Sequence, residues 1–352
     1  MRLPSVSTLR HRASRNADAE GIAVSCRVRL ARNLRDVKFP DWADELERRR
    51  VFGLVTPWLE RNAGIRGART VPVGDLDETT RALLCERHLI SRDLTERGPG
   101  SGLVVSSDET VAVMINEEDH FRIQVIEPGM DLHRAWTVAD AVDARIESRF
   151  PYAFTSRLGY LTACPSNVGT GLRASVMVHL IGLRLTNELD AVLRAIERMA
   201  LAVRGLGGEG SDAVGHMFQI SNQETLGADE ARLIDDLLEV VGDLVHQERN
   251  ARLRLNRDSP EVLQDCVARA LAILQCAKVM ETEEALGYLS ALRLGVEMGM
   301  VRRLEVPEIE SLALGIQSGH LQKRAGRLME APERDRVRAG FLQECMKQVE
   351  LR

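Results

Sequence analysis

Lysine is nearly missing from this chain. Only Lys38, Lys278, Lys323 and Lys347 occur, so all but four of the 47 basic residues are arginine. The formal net charge of −5 excludes general polyanion binding by charge alone, and no direct nucleic-acid role is expected. No apolar run is long enough for a membrane span, so no membrane contact is expected. Residues 1–20 are polar and basic and lack the apolar stretch of a secretory signal; they are expected to be a disordered tail. Cys26, Cys85, Cys164, Cys266, Cys276 and Cys345 form no C-x-x-C pair, and the eight histidines form no H-E-x-x-H. These gaps argue against a zinc site or a disulfide framework, and the expected compartment is a reducing cytoplasm. Aromatics reach only 4%, yet 352 residues at 44% hydrophobic suffice for a sizeable core and two domains. The arginine excess has two readings. A GC-rich genome favours arginine codons. Alternatively, some arginines bind phosphate or carboxylate, where a planar fork outperforms an ammonium.

Alternation at Ile22, Val24, Cys26, Val28 and Leu30 predicts a strand. Helices are expected over 41–62, 75–94 and 131–150. Strands are expected over 103–106, 111–116 and 121–125, with short spacings that favour antiparallel pairing. Further strands at 160–163 and 172–180 flank a glycine-rich turn. A helix over 189–203 and a short strand over 216–221 follow. From about residue 229 the pattern is helical, with helices at 261–280, 282–301, 307–316 and 332–349. Ser259-Pro260-Glu261 reads as a helix start, with serine as N-cap. The expected fold is α+β: an antiparallel sheet flanked by helices, over 21–256, then an all-helical C-terminal domain over 257–352.

Several arginine-bearing segments carry candidate chemistry. In Ser25-Cys26-Arg27-Val28-Arg29, a strand puts Arg27 and Arg29 on one face, where paired like charges need an anion or strong solvation. Asn116-Glu117-Glu118-Asp119-His120-Phe121-Arg122 places three acids at the end of an apolar strand, with a cation close by. Cys164-Pro165-Ser166-Asn167-Val168-Gly169-Thr170-Gly171-Leu172-Arg173 has glycines that could bring backbone amides to a phosphate, but lacks the lysine and spacing of a P-loop. Arg204-Gly205-Leu206-Gly207-Gly208-Glu209 is dense enough in glycine to close over a substrate.

Together these segments resemble the ATP:guanidino phosphotransferases, the family of creatine and arginine kinases and their bacterial relatives. The S-x-R-V-R box, N-E-E-D-H-x-R, C-P-S-N-x-G-T-G-L-R-A-S and R-G-x-G-G-E follow the family order over about residues 20–230. The likeness is closest to the bacterial protein arginine kinase (McsB) branch. The first box starts at Ser25, which leaves no room for the N-terminal domain of the small-guanidino kinases. Methionine stands at Met177, and a helical C-terminal region carries Arg334-Asp335-Arg336-Val337-Arg338-Ala339, similar to the R-D-x-x-R-A phosphoarginine-binding string of that branch. On a helix Arg334 and Arg338 share a face.

The resemblance implies transfer of the ATP γ-phosphoryl group to arginine guanidinium groups in proteins, assisted by Mg²⁺. It implies Arg27, Arg29, Arg122, Arg173 and Arg204 as phosphate ligands, within a nucleotide site formed by Ser25, Cys26, Val28, Ala174, Ser175, Val176, Met177, Gly205, Leu206, Gly207 and Gly208. It implies His88 beside adenine, Glu118 as the base, Glu209 as a second acid gripping the guanidinium, and Cys164 as a tuning thiol. Arg334, Asp335, Arg338 and Ala339 would read phosphoarginine. It further implies substrates with accessible arginines, marked for Clp-type proteolysis. Clp protease components, an activator protein, a transcriptional repressor and a homodimer are the implied partners. The alternatives are a small-molecule arginine kinase and a non-catalytic adaptor.

Overall fold

A computed structural model of the chain describes residues 21–206 and 213–352. The basic tail over 1–20, and Gly207, Gly208 and Glu209, lie outside the described residues.

The elements run in the order β1 (Ala23–Arg32), α1 (Glu45–Asn62), β2 (Arg69–Val71), α2 (Glu78–Glu86), α3 (Arg92–Glu96), β3 (Gly102–Val105), β4 (Val111–Ile115), β5 (Phe121–Pro128) and α4 (Leu132–Arg149). A small hairpin of β6 (Phe154–Thr155) and β7 (Gly159–Tyr160) follows, then β8 (Leu172–His179), α5 (Ile181–Leu185), α6 (Leu189–Glu197), β9 (Leu201–Gly205) and β10 (Met217–Asn222). The rest is α7 (Glu230–Asp258), α8 (Pro260–Cys276), α9 (Thr282–Glu297), β11 (Val301–Arg302), α10 (Val306–Gly315), α11 (Ser318–Ala325), α12 (Ala331–Met346) and β12 (Glu350–Leu351).

Eight strands form one antiparallel sheet in the order β2-β3-β4-β5-β1-β8-β10-β9. Strand period two divides its side chains cleanly. Cys26, Val28, Leu30, Ile123, Val125, Ala174, Val176, Phe218 and Ile220 bury themselves in the main core with α1, α4 and α7. Residues of the opposite register make the second face. At one end that face is apolar: Leu103, Val105, Ala112 and Met114 pack under Leu84, Leu89 and Leu94. In the centre it is polar. The C-terminal helices close a second core of their own around Leu263, Val267, Leu292, Ile309 and Leu342.

Four expectations need correction. The helix expected over 75–94 is two helices. His88 takes a left-handed backbone (φ 58°), and the Ser91 hydroxyl caps a new start by accepting from Leu94 N–H. The helix expected over 189–203 ends at Glu197, because Ala200 turns left-handed (φ 58°) and Leu201 begins an edge strand. The strand expected over 160–163 shrinks to β7, whose Tyr160 pairs with Phe154 and bridges Gly169 outside the main sheet. Ser259 precedes α8 but makes no side-chain cap bond. Helix α11 was not foreseen; Gly326 ends it at φ 69°. Helix α7 runs through Asn256 to Asp258, so the chain passes from the first core to the second at Ser259.

Candidate active site

The polar centre of the second face is built by register. Arg29 on β1 stands opposite Gln124 on β5 and opposite Arg173 on β8. Arg27 stands opposite Ser175, and its Nη2 donates to Gln219 Oε1 on β10 at 2.7 Å. Arg204 on β9 is the register partner of Gln219. Arg122 lies one step along β5, opposite Ala31. Five arginines from four strands therefore share one face.

These cations disfavour one another. Burial, then Arg122 and Arg173, push the Arg27 guanidinium down to about 10. Burial, then Arg27, Arg122 and Arg173, hold Arg29 well below the usual range. Burial and neighbouring Arg204 lower Arg173. The Arg29 Nε–H is buried without a hydrogen-bond partner. Polar groups orphaned in this way are uncommon in native interiors. The arrangement suits an anion of several charges that accepts bonds from several forks at once.

The hairpin between β4 and β5 supplies the acids. Asn116 turns it with a left-handed backbone (φ 55°), and its amide donates to Arg48 O and Gly100 O. The three acids then diverge. Glu117 is fully buried; its Oε1 accepts from Arg122 Nη1 at 2.7 Å and from the Ser91 hydroxyl. Asp119 is also buried. It accepts from Asn33 Nδ2 at 2.6 Å and from Ala163 N–H at 2.7 Å, which ties the acid turn to the cysteine loop. Burial raises its carboxyl. Glu118 alone of the three reaches solvent, with its side chain 28% exposed and 3.1 Å from Arg122 Nη2. Burial, then the Asp119 charge, raises its carboxyl, with Arg122 opposing. His120 packs edge-on against Phe39, and burial lowers its imidazole to about 4.

Cys164 is half-buried beside this turn, with Sγ 3.0 Å from Ser166 Oγ. The glycines of its loop answer to packing. A Cβ on Gly169 (φ 116°) would lie 2.1 Å from Thr225 O, and one on Gly171 (φ 64°) 2.7 Å from Ala31 O. They let the loop lie against neighbouring main chain, held by the Thr225 hydroxyl bonding to Val168 O at 2.7 Å.

Not every residue named from the sequence presents its side chain here. Ser25, Ser175 and Met177 share the register of Arg27, with Ser175 opposite it and Ser25 opposite Met177. Cys26, Val28, Ala174 and Val176 turn theirs into the main core, where burial pushes the Cys26 thiol up to about 12. Gly205 closes β9, and Leu206 pairs with Met217 O and with Val214 N–H across the base of the 207–212 segment. His88 is exposed, and its carbonyl accepts from Gln124. The sequence reading missed Gln219, Asn33 and Ser91. Only Gln219 left a signal, as the alternate position of a short strand.

The phosphoarginine string behaves differently from a free surface. Arg338 is 1% exposed; its Nε donates to Ile316 O at 3.0 Å, and its Nη1 to Met280 O at 2.7 Å and Asp335 Oδ1 at 2.5 Å. It thus clamps the start of α9 and the end of α10 onto α12. Ala339 is buried behind it. Arg334 is half-buried and donates to Met329 O at 2.7 Å. Arg338→Ala is therefore expected to leave two buried carbonyls unpaired and to cost about 3 kcal/mol, read as a lowered midpoint in urea unfolding. An unchanged midpoint would show that the clamp does not hold the domain.

Residues 55–251 match the ATP:guanido phosphotransferase C-terminal catalytic domain, and residues 260–352 match the C-terminal domain of protein-arginine kinase McsB. A protein-arginine kinase of Pelotomaculum thermopropionicum is 42% identical over 332 residues, covering 92% of this chain and 93% of the relative. Another, of Moorella thermoacetica, is 43% identical over 328 residues, covering 92% and 94%. Among solved structures, lombricine kinase superposes with a TM-score of 0.56 at 27% identity, covering 70% of this chain and 71% of its own. The duplicated taurocyamine kinase from Schistosoma mansoni, with bound transition state analog components, shares the fold at a TM-score of 0.60 and 24% identity, covering 78% of this chain and 40% of its own. The chain belongs to the ATP:guanido phosphotransferase family, in its protein-arginine kinase branch, whose members are ATP-dependent phosphotransferases acting on arginine.

Proposed function

We propose that the arginine face binds the ATP phosphates and that Glu118 activates the guanidinium of a protein-borne arginine for attack on the γ-phosphorus. One observation carries the reading: Arg27, Arg29, Arg122 and Arg173 converge on one sheet face with a buried, unpartnered Nε–H and mutual repulsion that a polyanion relieves. Fixed cations neutralise the charge that spreads over the transferring phosphoryl group. A guanidinium is protonated at neutral pH and is a poor nucleophile. In this reading Glu118 accepts its proton as the N–P bond forms and the bond to the ADP oxygen breaks. Its carboxylate also pairs with the guanidinium and orients the attacking nitrogen. Glu209 is the second acid in this reading, Cys164 adjusts the guanidinium contact, and His88 and Arg204 complete the nucleotide site. Among the described residues no group of three or more His, Cys, Asp or Glu could hold a metal. A Mg²⁺ would therefore travel with the nucleotide phosphates instead of sitting on a protein cage.

The finer reading includes marking of substrates for Clp-type proteolysis, an activator protein, a repressor partner, a cytoplasmic homodimer, and regulation by phosphoarginine through Arg334, Asp335, Arg338 and Ala339. The family resemblance supports these. Since Arg338 is a clamp, Arg334→Ala is the cleaner probe of regulation; a phosphoarginine response equal to the parent's would remove Arg334 from it.

The deciding experiment is mass spectrometry for phosphoarginine after incubation with Mg-ATP and an unfolded arginine-rich protein. Free arginine is the parallel acceptor, and autophosphorylation is scored on the same sample. Phosphoarginine on the protein and none on free arginine is the expected result. The reverse would make the chain a small-guanidino kinase, and no product on either would leave an adaptor.

A further inference from the structure

Strands β8 and β10 carry Arg173 and Gln219 into the phosphate face, and both end against the helical domain. His179 closes β8 on the same register as Arg173. Its Nε2 lies 2.7 Å from the hydroxyl of Ser290 on α9. His216, which precedes β10, places Nδ1 2.9 Å from the same hydroxyl. One serine, 4% exposed, thus stands between two imidazoles.

The direction of the bonds follows from the neighbours. Arg252 Nη2 on α7 lies 3.1 Å from His179 O and 3.2 Å from His179 Nδ1. A guanidinium only donates, so Nδ1 accepts and the ring proton sits on Nε2. That proton goes to Ser290 Oγ, and the Ser290 O–H goes to His216 Nδ1. Burial lowers both histidines, His216 to about 4, so both rings are neutral and each nitrogen in the chain has one role. Arg252 is fixed in turn by Glu248 at 2.6 Å and Glu297 at 2.7 Å. Glu297 also accepts from Arg293, which donates to Glu310 at 2.9 Å and to Gly21 O at 2.9 Å. His216 O accepts from Leu180 N–H, joining the end of β8 to the start of β10. Gly215 (φ 65°) lies against α9: a Cβ there would stand 3.2 Å from Leu286 O.

We propose that Ser290 is a positioning residue through which helix α9 sets β8 against β10, and with them Arg173 and the Arg27–Gln219 pair, for ATP binding. The inference rests on the phosphate reading of the arginine face. The helical domain then acts on nucleotide affinity from the end of β8, through a hydroxyl bonded to His179 and His216. Removing the hydroxyl strands one buried donor and one buried acceptor, and the two strand ends must move to find water.

The test compares five variants of the full chain by steady-state kinetics and thermal melting. Ser290→Ala is expected to raise the KM for ATP roughly 3- to 10-fold while kcat stays within about 2-fold, the signature of lost ground-state binding. Ser290→Thr, which keeps the hydroxyl, is expected to restore KM. His216→Phe keeps a ring but no acceptor, and is expected to reproduce the rise even if Ser290→Ala fails to fold. Leu289→Ala, at the preceding residue and 2% exposed in the helical core, is expected to lower the melting temperature without moving KM. An unchanged KM in Ser290→Ala or, where that variant fails to fold, in His216→Phe, or an equal rise in Leu289→Ala, would overturn the role of Ser290. Arg173→Ala separates the two ideas. If it raises the ATP KM while Ser290→Ala does not, only the Ser290 inference fails. If it leaves ATP binding intact, the phosphate reading fails and takes this inference with it.

Discussion

Glu118→Gln should lower kcat for phosphoarginine formation by about 10²- to 10⁴-fold, the range expected for loss of a positioned general base. ATP affinity should hold or improve. Arg122 keeps its buried partner Glu117 at 2.7 Å and loses only the 3.1 Å contact to Glu118, which leaves more of its charge for the phosphates. The pH profile supplies a second readout. Burial and the Asp119 charge raise the Glu118 carboxyl, so its basic form is lost as pH falls through a value above the ordinary carboxylate range. In the parent, kcat/KM should fall along that acid limb, and in the Gln variant the limb should vanish from whatever activity remains. Single-turnover phosphorylation with nucleotide binding measured on the same sample checks both. Full kinase activity in the variant would remove Glu118 from the chemistry.

Arg29→Met should separate stability from binding. In the parent, Arg29 is held in a half-buried site among like charges, with its Nε–H unpaired. Its folded pKa is depressed, so the folded state holds the proton less well than the unfolded chain does. The resulting penalty is fully present at neutral pH, where both states are protonated. It is relieved only as pH rises through the depressed folded value. A methionine of similar reach removes the charge and fills the space, so the ligand-free protein should melt about 2–4 °C higher. The catalytic loss should be roughly 10²- to 10³-fold in kcat/KM, as for removal of a donor to developing charge. Melting curves with and without ATP would show both effects together: a higher baseline and a smaller nucleotide-induced rise. A lower baseline with unchanged ATP response would mean that Arg29 serves the fold and not the nucleotide.

Much of the sheet was legible along the chain. The alternation from Ile22 to Leu30 predicts β1, and strand period two already places Arg27 beside Arg29. The motif strings name the acids and the cysteine loop. Two of the errors fall at left-handed turns. His88 and Ala200 are not residues that announce φ near 58°, so the apolar pattern predicts one helix through Arg87–Ser91 and another through the start of β9. Local pattern has no access to a turn that tertiary packing imposes.

The site shows the same division. From residue types alone, Glu117, Glu118 and Asp119 are equivalent; the choice of Glu118 came from family resemblance. In the fold they differ sharply, because Arg122 and Ser91 take Glu117 inward while Asn33 and Ala163 take Asp119. Arg334 and Arg338 share a helical face, as the i, i+4 spacing requires. Spacing could not show that Ile316 and Met280 would close over one of them.

The scarcity of lysine drew attention to arginine, and the sequence alone placed Arg27 and Arg29 on one strand face, while the fold set Arg122, Arg173 and Arg204 beside them. The sequence could not determine which are needed for binding and which for architecture. Arg27, Arg29 and Arg173 repel one another across a sheet face. Arg252, Arg293 and Arg338 are buried in bonds to carboxylates and carbonyls. The two groups have the same side chain, the first on strands and the second on helices. What separates them is whether carboxylates and carbonyls, some one helical turn away and others tens of positions away, close over the guanidinium or leave its charge unanswered, and the distant part is settled by the tertiary fold.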